Sequence, residues 1–208
     1  MGGFRYTVRE NFLSICVLVG AIVVVTTVAV IIAAYGVLRH VSITVADASL
    51  TRFSLAATPP TALAYNLSLT LEVHNPNWAM TMTNTEPLEA TYSFAEQQFE
   101  RVQVSDKGAR YDKARTTVHR VVTGSDSTYV ALGNSGVAEY GNQKASGTFQ
   151  VEVKLTGKVK YTARYTKCQI EATCPLKLQV VDPAAPELGV AFVFEKVECK
   201  LTKPEKNC

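Results

Sequence analysis

The chain has 208 residues, of which 47% are hydrophobic and 19% charged, with a formal net charge of +3. Setting aside Arg5, Arg9, Arg39 and Glu10, which flank one long apolar stretch near the N-terminus, leaves 18 basic and 17 acidic residues. So even a balance excludes a nucleic-acid surface held by charge, and the roughly 170 residues after the stretch suit one domain rather than several.

Residues 11–38 contain no charged side chain and are dominated by Val, Ile, Ala and Leu from Leu13 onward. About 20 apolar residues cover a hydrocarbon core of roughly 30 Å, so residues 13–38 are predicted to form a membrane-spanning helix behind a short tail at 1–12. The run is longer than the 7–15 apolar residues usual in a cleaved signal peptide. It lacks the one-sided stripe of a helix lying on a soluble core. Arg5 and Arg9 precede it and Arg39 follows, which places the tail in the cytosol and the remainder outside the cell or in a lumen. Gly2 is no myristoylation signal, because Tyr6 stands where that motif has Ser or Thr. Cys16, near the cytosolic face of the helix, reads as an ordinary membrane-buried cysteine, with palmitoylation as the alternative.

Beyond the helix, residues 41–208 are written mostly with a period of two, the signature of half-buried strands. Leu67, Leu69, Leu71 and Val73 alternate with Asn66, Ser68, Thr70 and Glu72. Phe149, Val151, Val153 and Leu155 do the same, with inward parity continuing through Val159, Tyr161 and Tyr165. That run exceeds an ordinary strand, so a bend is expected near Gly157. Further strands are predicted over 41–55, 88–94, 116–122, 170–181 and 189–201. Residues 125–143, rich in Gly, Asn and Ser, read as a crossover with one helical turn. The fold class expected is mainly β: one transmembrane helix followed by an immunoglobulin- or fibronectin-III-like sandwich.

Cys168, Cys174, Cys199 and Cys208 lie beyond the helix and allow three complete pairings. Cys174 shares parity with Leu176, Leu178 and Val180, and Cys199 with Val197 and Leu201, so both sulfurs are expected to face the core. Folding 176–181 back on 190–201 about the Asp182–Pro186 loop brings positions 174 and 199 close to opposite each other, where a disulfide fits. Continuing that register offers Cys168 and Cys208 as a second pair. Disulfides belong to an oxidising compartment, whereas four free thiols would belong to a cytosolic domain. Asn66-Leu67-Ser68 is a glycosylation sequon, with Asn66 on the polar side of its strand.

His40, His74 and His119 stand apart from any cysteine or carboxylate at metal-ligand spacing. No phosphate-binding glycine loop, nucleophile elbow or His-Glu-x-x-His helix occurs. No catalytic residue, metal ligand or cofactor is therefore assigned, and an enzyme is not expected. Lys154, Lys158, Lys160 and Arg164 share the outward phase of the long strand run. They read as a solvated sheet face, with attraction to anionic lipid headgroups or acidic polysaccharide as the alternative. Phe192, Val193 and Phe194 put apolar groups on both faces of one strand, which fits a covered edge, a partner surface or a ligand groove.

The layout of short tail, single helix and alternating strand ending in Val73-His74-Asn75-Pro76-Asn77 resembles the plant NDR1/HIN1-like family, whose outer part is a late embryogenesis abundant type 2 domain. The triplet Asn75, Pro76, Asn77 matches that family's most recognisable motif, and the run 147–165 and Cys174 with Cys199 fit its later layout. The resemblance implies a sandwich at the plasma membrane taking part in plant defence or stress responses. Its partners would be the lipid bilayer and other membrane or apoplastic proteins. Neither Asn-Gly-Asp nor Arg-Gly-Asp occurs, so adhesion through such a triplet is not expected. The function expected is that of a non-enzymatic, membrane-anchored interaction protein; the alternative is a tethered module binding a lipid or other apolar ligand.

Overall fold

A computed structural model describes residues 3–56, 61–163, 167–181 and 194–201, with the side chains of 3–11 and 13 excepted. The chain divides into two compact units, Met1–Arg39 and His40–Cys208.

In the first unit, helix α1 runs over Gly3–Ile31 and closes in a π-helical turn, Ile32–Gly36. The helix thus begins ahead of the apolar run and takes in most of the segment expected as a tail. Its stretch Ser14–Gly36 has a mean hydropathy of 3.1 over a charge-free 23 residues. At 1.5 Å per residue that length is about 35 Å, long and apolar enough to cross a membrane. Ile15, Val19, Ile22, Val25 and Ile32 lie around the helix and all are more than half exposed.

The second unit is a sandwich of two antiparallel sheets, the mainly-β class expected. One sheet has the order β10-β1-β2-β7, with β1 at Ser42–Ala56, β2 at Ala62–Asn75, β7 at Arg115–Tyr129 and β10 at Val197–Glu198. The other has the order β11-β9-β8-β3-β6, built from β3 (Met82–Asn84), β6 (Arg110–Tyr111), β8 (Thr148–Tyr161), β9 (Lys167–Gln179) and β11 (Lys200–Leu201). The hairpin of β4 (Leu88–Phe94) and β5 (Gln97–Ser105) joins β8 beyond β3, so β3 and β4 lie end to end along one edge of β8.

Alternation places the core. In β2, Leu67, Leu69, Leu71 and Val73 are all at most 2% exposed. In β1 the inward positions pass from Ile43 and Val45 to Ala48 and Leu50, then to Phe53, because bulges fall between Val45 and Asp47 and between Leu50 and Arg52. Each extra residue resets parity, so that apolar groups stay inside despite the odd spacing. Phe53 sits between the sheets against Phe94, Phe99, Tyr140 and Phe149, with ring centroids 4.8–6.2 Å apart.

Three expectations need correction. The 125–143 segment does cross from one sheet to the other, but with more than a single helical turn: its first part belongs to β7, and α2 spans Gly133–Ser146 before β8. Its poor helix formers are held by packing of Tyr140 and by Gly147, whose φ of 71° closes the helix with a bond from its N–H to the Lys144 carbonyl. Nor does β8 bend at Gly157, since its register with β9 continues unbroken through Gly157 opposite Ile170. A Cβ there would meet Leu88 Cδ1 at 3.1 Å and the Pro87 carbonyl oxygen at 3.4 Å, so this glycine admits the start of β4 rather than a turn. Finally, the long strand expected at 189–201 is, within the described residues, two short ones serving different sheets: β10 pairs with β1 and β11 with β9. Val190, Phe192 and Val193 lie outside the described residues, as do Arg164 and Tyr165 of the long run.

Candidate functional surfaces

The last described strands close one side of the sandwich. Near one end Val181 donates its N–H to the Leu50 carbonyl at 2.8 Å; further along β1, Cys199 donates to the Ile43 carbonyl at 2.9 Å. Between β10 and β11, Cys199 is disulfide-bonded to Cys174 of β9, and both are buried. The expected pairing and inward orientation are both present. Cys168 is also buried and disulfide-bonded, while Cys208 lies outside the described residues. Cys16 is free and exposed on α1.

Asn75, Pro76 and Asn77 leave the end of β2 and start the loop to β3. Asn75 is fully buried and acts as a backbone organiser. Its Nδ2 donates to the Met80 carbonyl at 2.9 Å and to the Tyr111 and Asp112 carbonyls at 3.3 Å. Its Oδ1 accepts from the backbone N–H and the side-chain amide of Asn77, each at 3.1 Å. One side chain thereby ties β2 to the β3 and β6 segments of the opposite sheet by donating to their backbone carbonyls. Trp78, next in sequence, is 53% exposed between buried neighbours Asn77 and Ala79.

Asn66 is exposed on the outer face of β2, opposite Gly124 of β7. The outward lysines of β8 do not form a continuous stripe of free charge. Lys154 pairs with Glu171 at 2.6 Å and Lys158 with Glu86 at 2.8 Å. Lys160 has no ion-pair partner among the described residues.

The histidines occupy unrelated places. His74 Nδ1 is 3.0 Å from the Thr116 hydroxyl at the surface. His119 stands edge-on to Tyr111, its Nε2 buried and without a hydrogen-bond partner among the described residues, and burial holds its pKa below the ordinary value. No cluster of three His, Cys, Asp or Glu able to hold a metal occurs among the described residues.

Sequence reading missed the edge at β7. Among the described residues β7 pairs only with β2, so its other side offers backbone groups without ladder partners. Val118, Val122 and Tyr129 on it are 54%, 74% and 67% exposed. Midway, β5 approaches: Glu100 accepts from the Tyr65 hydroxyl and, at 3.4 Å, from the Thr123 hydroxyl. Burial and the neighbouring Glu100 carboxylate push the Tyr65 phenol up to about 12. The signal for this edge was the pair Val118 and Val122, which share the outward parity of Thr116 and Arg120.

A groove of about 780 Å³ lies beside α2, β8, β9 and the segment 194–197. Val151, Leu176 and Phe194 line part of it, but Glu96, Glu139, Glu152 and Glu195 make its walls acidic, against Lys177 alone.

No protein-family model and no curated protein matches the chain. Among solved structures, one described as a protein from Archaeoglobus fulgidus is similar at 10% identity, covering 70% of this chain and 100% of that one, with a TM-score of 0.32. A likeness so slight carries no argument about fold or function.

Proposed function

We propose that this chain is a non-enzymatic interaction protein, anchored in a membrane by α1 and presenting the β7 edge of its sandwich to another protein. The observation that carries this reading is the exposed edge itself. Among the described residues β7, fifteen residues long and free of proline, has no ladder partner on its outer side, and Val118, Val122 and Tyr129 stand out as apolar anchors along it. An edge of this kind is a template for strand addition, in which the backbone gives affinity and alternate side chains give specificity. The disulfide at Cys174 favours an oxidising compartment, hence a domain facing away from the cytosol. The resemblance to NDR1/HIN1-like proteins supports a role at the plant plasma membrane in defence or stress.

The competing reading, a tethered module for a lipid or other apolar ligand, would call for an apolar space inside the sandwich. The described interior is filled at Phe53, Phe94, Phe99 and Phe149; the groove beside α2 has a largely apolar surface but is rimmed by Glu96, Glu139, Glu152 and Glu195, which favours the interaction reading over a neutral apolar ligand.

A photo-crosslinking side chain at Val122 of the full chain in its native membrane tests the proposal, with Gln169 on the outer face of β9 as control. A discrete adduct from position 122, absent from position 169 and lost when Val118 is changed to Lys, is expected. Equal labelling at both positions, or an adduct indifferent to Val118→Lys, would overturn it.

A further inference from the structure

The end of the sandwich that holds Val41 has a composition of its own. Register defines that end: Ser42 lies opposite His74, and Asn75 opposite Arg115, in one sheet. In the other sheet Met82 lies opposite both Tyr161 and Tyr111. The bonds of Asn75 to the Tyr111 and Asp112 carbonyls bring the two ends together. The loop carrying the exposed Trp78 caps this end.

Basic side chains surround it. Across the second sheet, Arg110 pairs with Thr83, Thr83 with Lys160, and Lys160 with Lys167, so one row of four strands presents three cations outward. Lys160 and Lys167 are direct cross-strand neighbours, an arrangement of like charges that destabilises a sheet unless an anion lies nearby. Lys113 and Arg115 follow in the chain; all five are exposed, and none forms an ion pair with another described residue. Asp112 is the one carboxylate within that 110–115 stretch.

Only residues 37–40 link the π-helical turn to Val41, and four residues span at most about 14 Å fully extended. If α1 is in a bilayer, as proposed above, the Val41 end is the end of the domain tethered to the bilayer surface. Tryptophan is favoured at the headgroup level, where its ring is partly apolar and its N–H finds acceptors, and Lys and Arg are drawn to phosphate and anionic headgroups.

We propose that this tip docks on the phospholipid headgroup layer of the membrane that holds α1. Trp78 inserts at the interface, and Arg110, Lys113, Arg115, Lys160 and Lys167 contact lipid phosphates. Docking fixes the sandwich against the bilayer instead of leaving it to swing on its short linker, which holds the β7 edge at a set height for a partner. The inference rests on the anchoring reading.

Trp78 is the sole tryptophan, so its emission, excited at the red edge where the tyrosines absorb little, reports on the tip alone. The full chain would be reconstituted into phosphatidylcholine vesicles with and without roughly a third phosphatidylserine, and its emission quenched by acyl-brominated lipid or by aqueous iodide. Brominated lipid should quench Trp78 and iodide should not, with the contrast larger when phosphatidylserine is present. Replacing three cations by Arg110→Ser, Lys113→Ser and Arg115→Ser should lower the docked-to-free ratio by about a hundredfold in the anionic vesicles. Emission open to iodide and indifferent to brominated lipid in both compositions, from a chain that resists alkaline extraction, would overturn the docking while leaving the anchor intact. Quenching by brominated lipid that the three substitutions leave unchanged would overturn the assignment to these cations. A chain released from the vesicles by alkali would refute the anchor, and the docking with it.

Discussion

Cys199 is bonded to Cys174 at the point where the chain passes from one sheet to the other: the residues before it pair with β1 and those after it with β9. The bridge therefore holds a segment whose ladders are only two residues long on each side. With the cysteines 25 positions apart in sequence, the chain-entropy model gives about 3 kcal/mol of stabilisation. Changing both cysteines to Ser should lower the melting temperature of the domain by roughly 6–12 °C. Thermal unfolding of the variant in detergent checks this; an unchanged midpoint would mean that the last strands add little.

Asn75→Ala should be more damaging than any other single change in the 75–77 triplet. It removes the donor to three carbonyls and the acceptor for Asn77 in a fully buried setting. Leaving such groups without partners costs about 1–3 kcal/mol each, and partial relaxation makes about 2–4 kcal/mol the expected loss. Pro76→Ala, acting mainly on the unfolded chain, should cost less than about 1 kcal/mol. Chemical denaturation of the two variants side by side separates an organising asparagine from a generic turn.

The β4–β5 hairpin turns on Ala95 and Glu96, with φ of 46° and 63°, a left-handed pair that Asn and Gly adopt far more readily. Ala95→Asn combined with Glu96→Gly should stabilise the domain by about 1 kcal/mol, the typical gain for relieving two such positions. A rise in the denaturant midpoint at constant slope is the expected reading.

The same turn explains why β5 was illegible in the sequence. Hairpins announce themselves by Asn-Gly or Asp-Gly, and Ala-Glu carries no such signal. Bulges between Leu88 and Glu89 and between Tyr92 and Ser93 further disturb the pairing of β4 with β5, so Phe99 is buried while Val102 and Val104, on the opposite parity, are half-buried. By contrast β2 and β8 lie inside their sheets with one face on the core, and their alternation could be read directly. The disulfide was legible for the same reason: parity fixed which way Cys174 and Cys199 point. Helix α2 was hidden because its Gly, Asn and Ser residues disfavour a helix on their own. What holds it is tertiary, including the Tyr140 hydroxyl bonded to the Phe53 carbonyl at 3.1 Å. The β7 edge and the Trp78 tip depend on which strands end up outermost and which loops share an end of the sandwich, which no single strand's pattern contains.

His119 should make stability fall in mild acid. Burial holds its folded pKa below the ordinary 6.5, so the unfolded chain binds its proton first as pH drops. The stability it confers is present above about 6.5 and is lost as pH falls through the folded value. Melting temperatures at about pH 7.5 and about pH 5 should differ more for the wild type than for His119→Gln, in which that proton site is gone. Equal differences in the two proteins would show that other groups govern the acid side.

In the proposed placement a membrane helix holds this sandwich on the non-cytosolic side. Gel mobility of the full chain expressed in plant cells, with and without glycosidase and reductant and beside Asn66→Gln, tests that placement. A glycosidase shift that Asn66→Gln abolishes, together with a reductant-sensitive bridge, is expected. A wild-type chain with neither glycan nor reductant-sensitive bridge would contradict it and assign the domain to the cytosol.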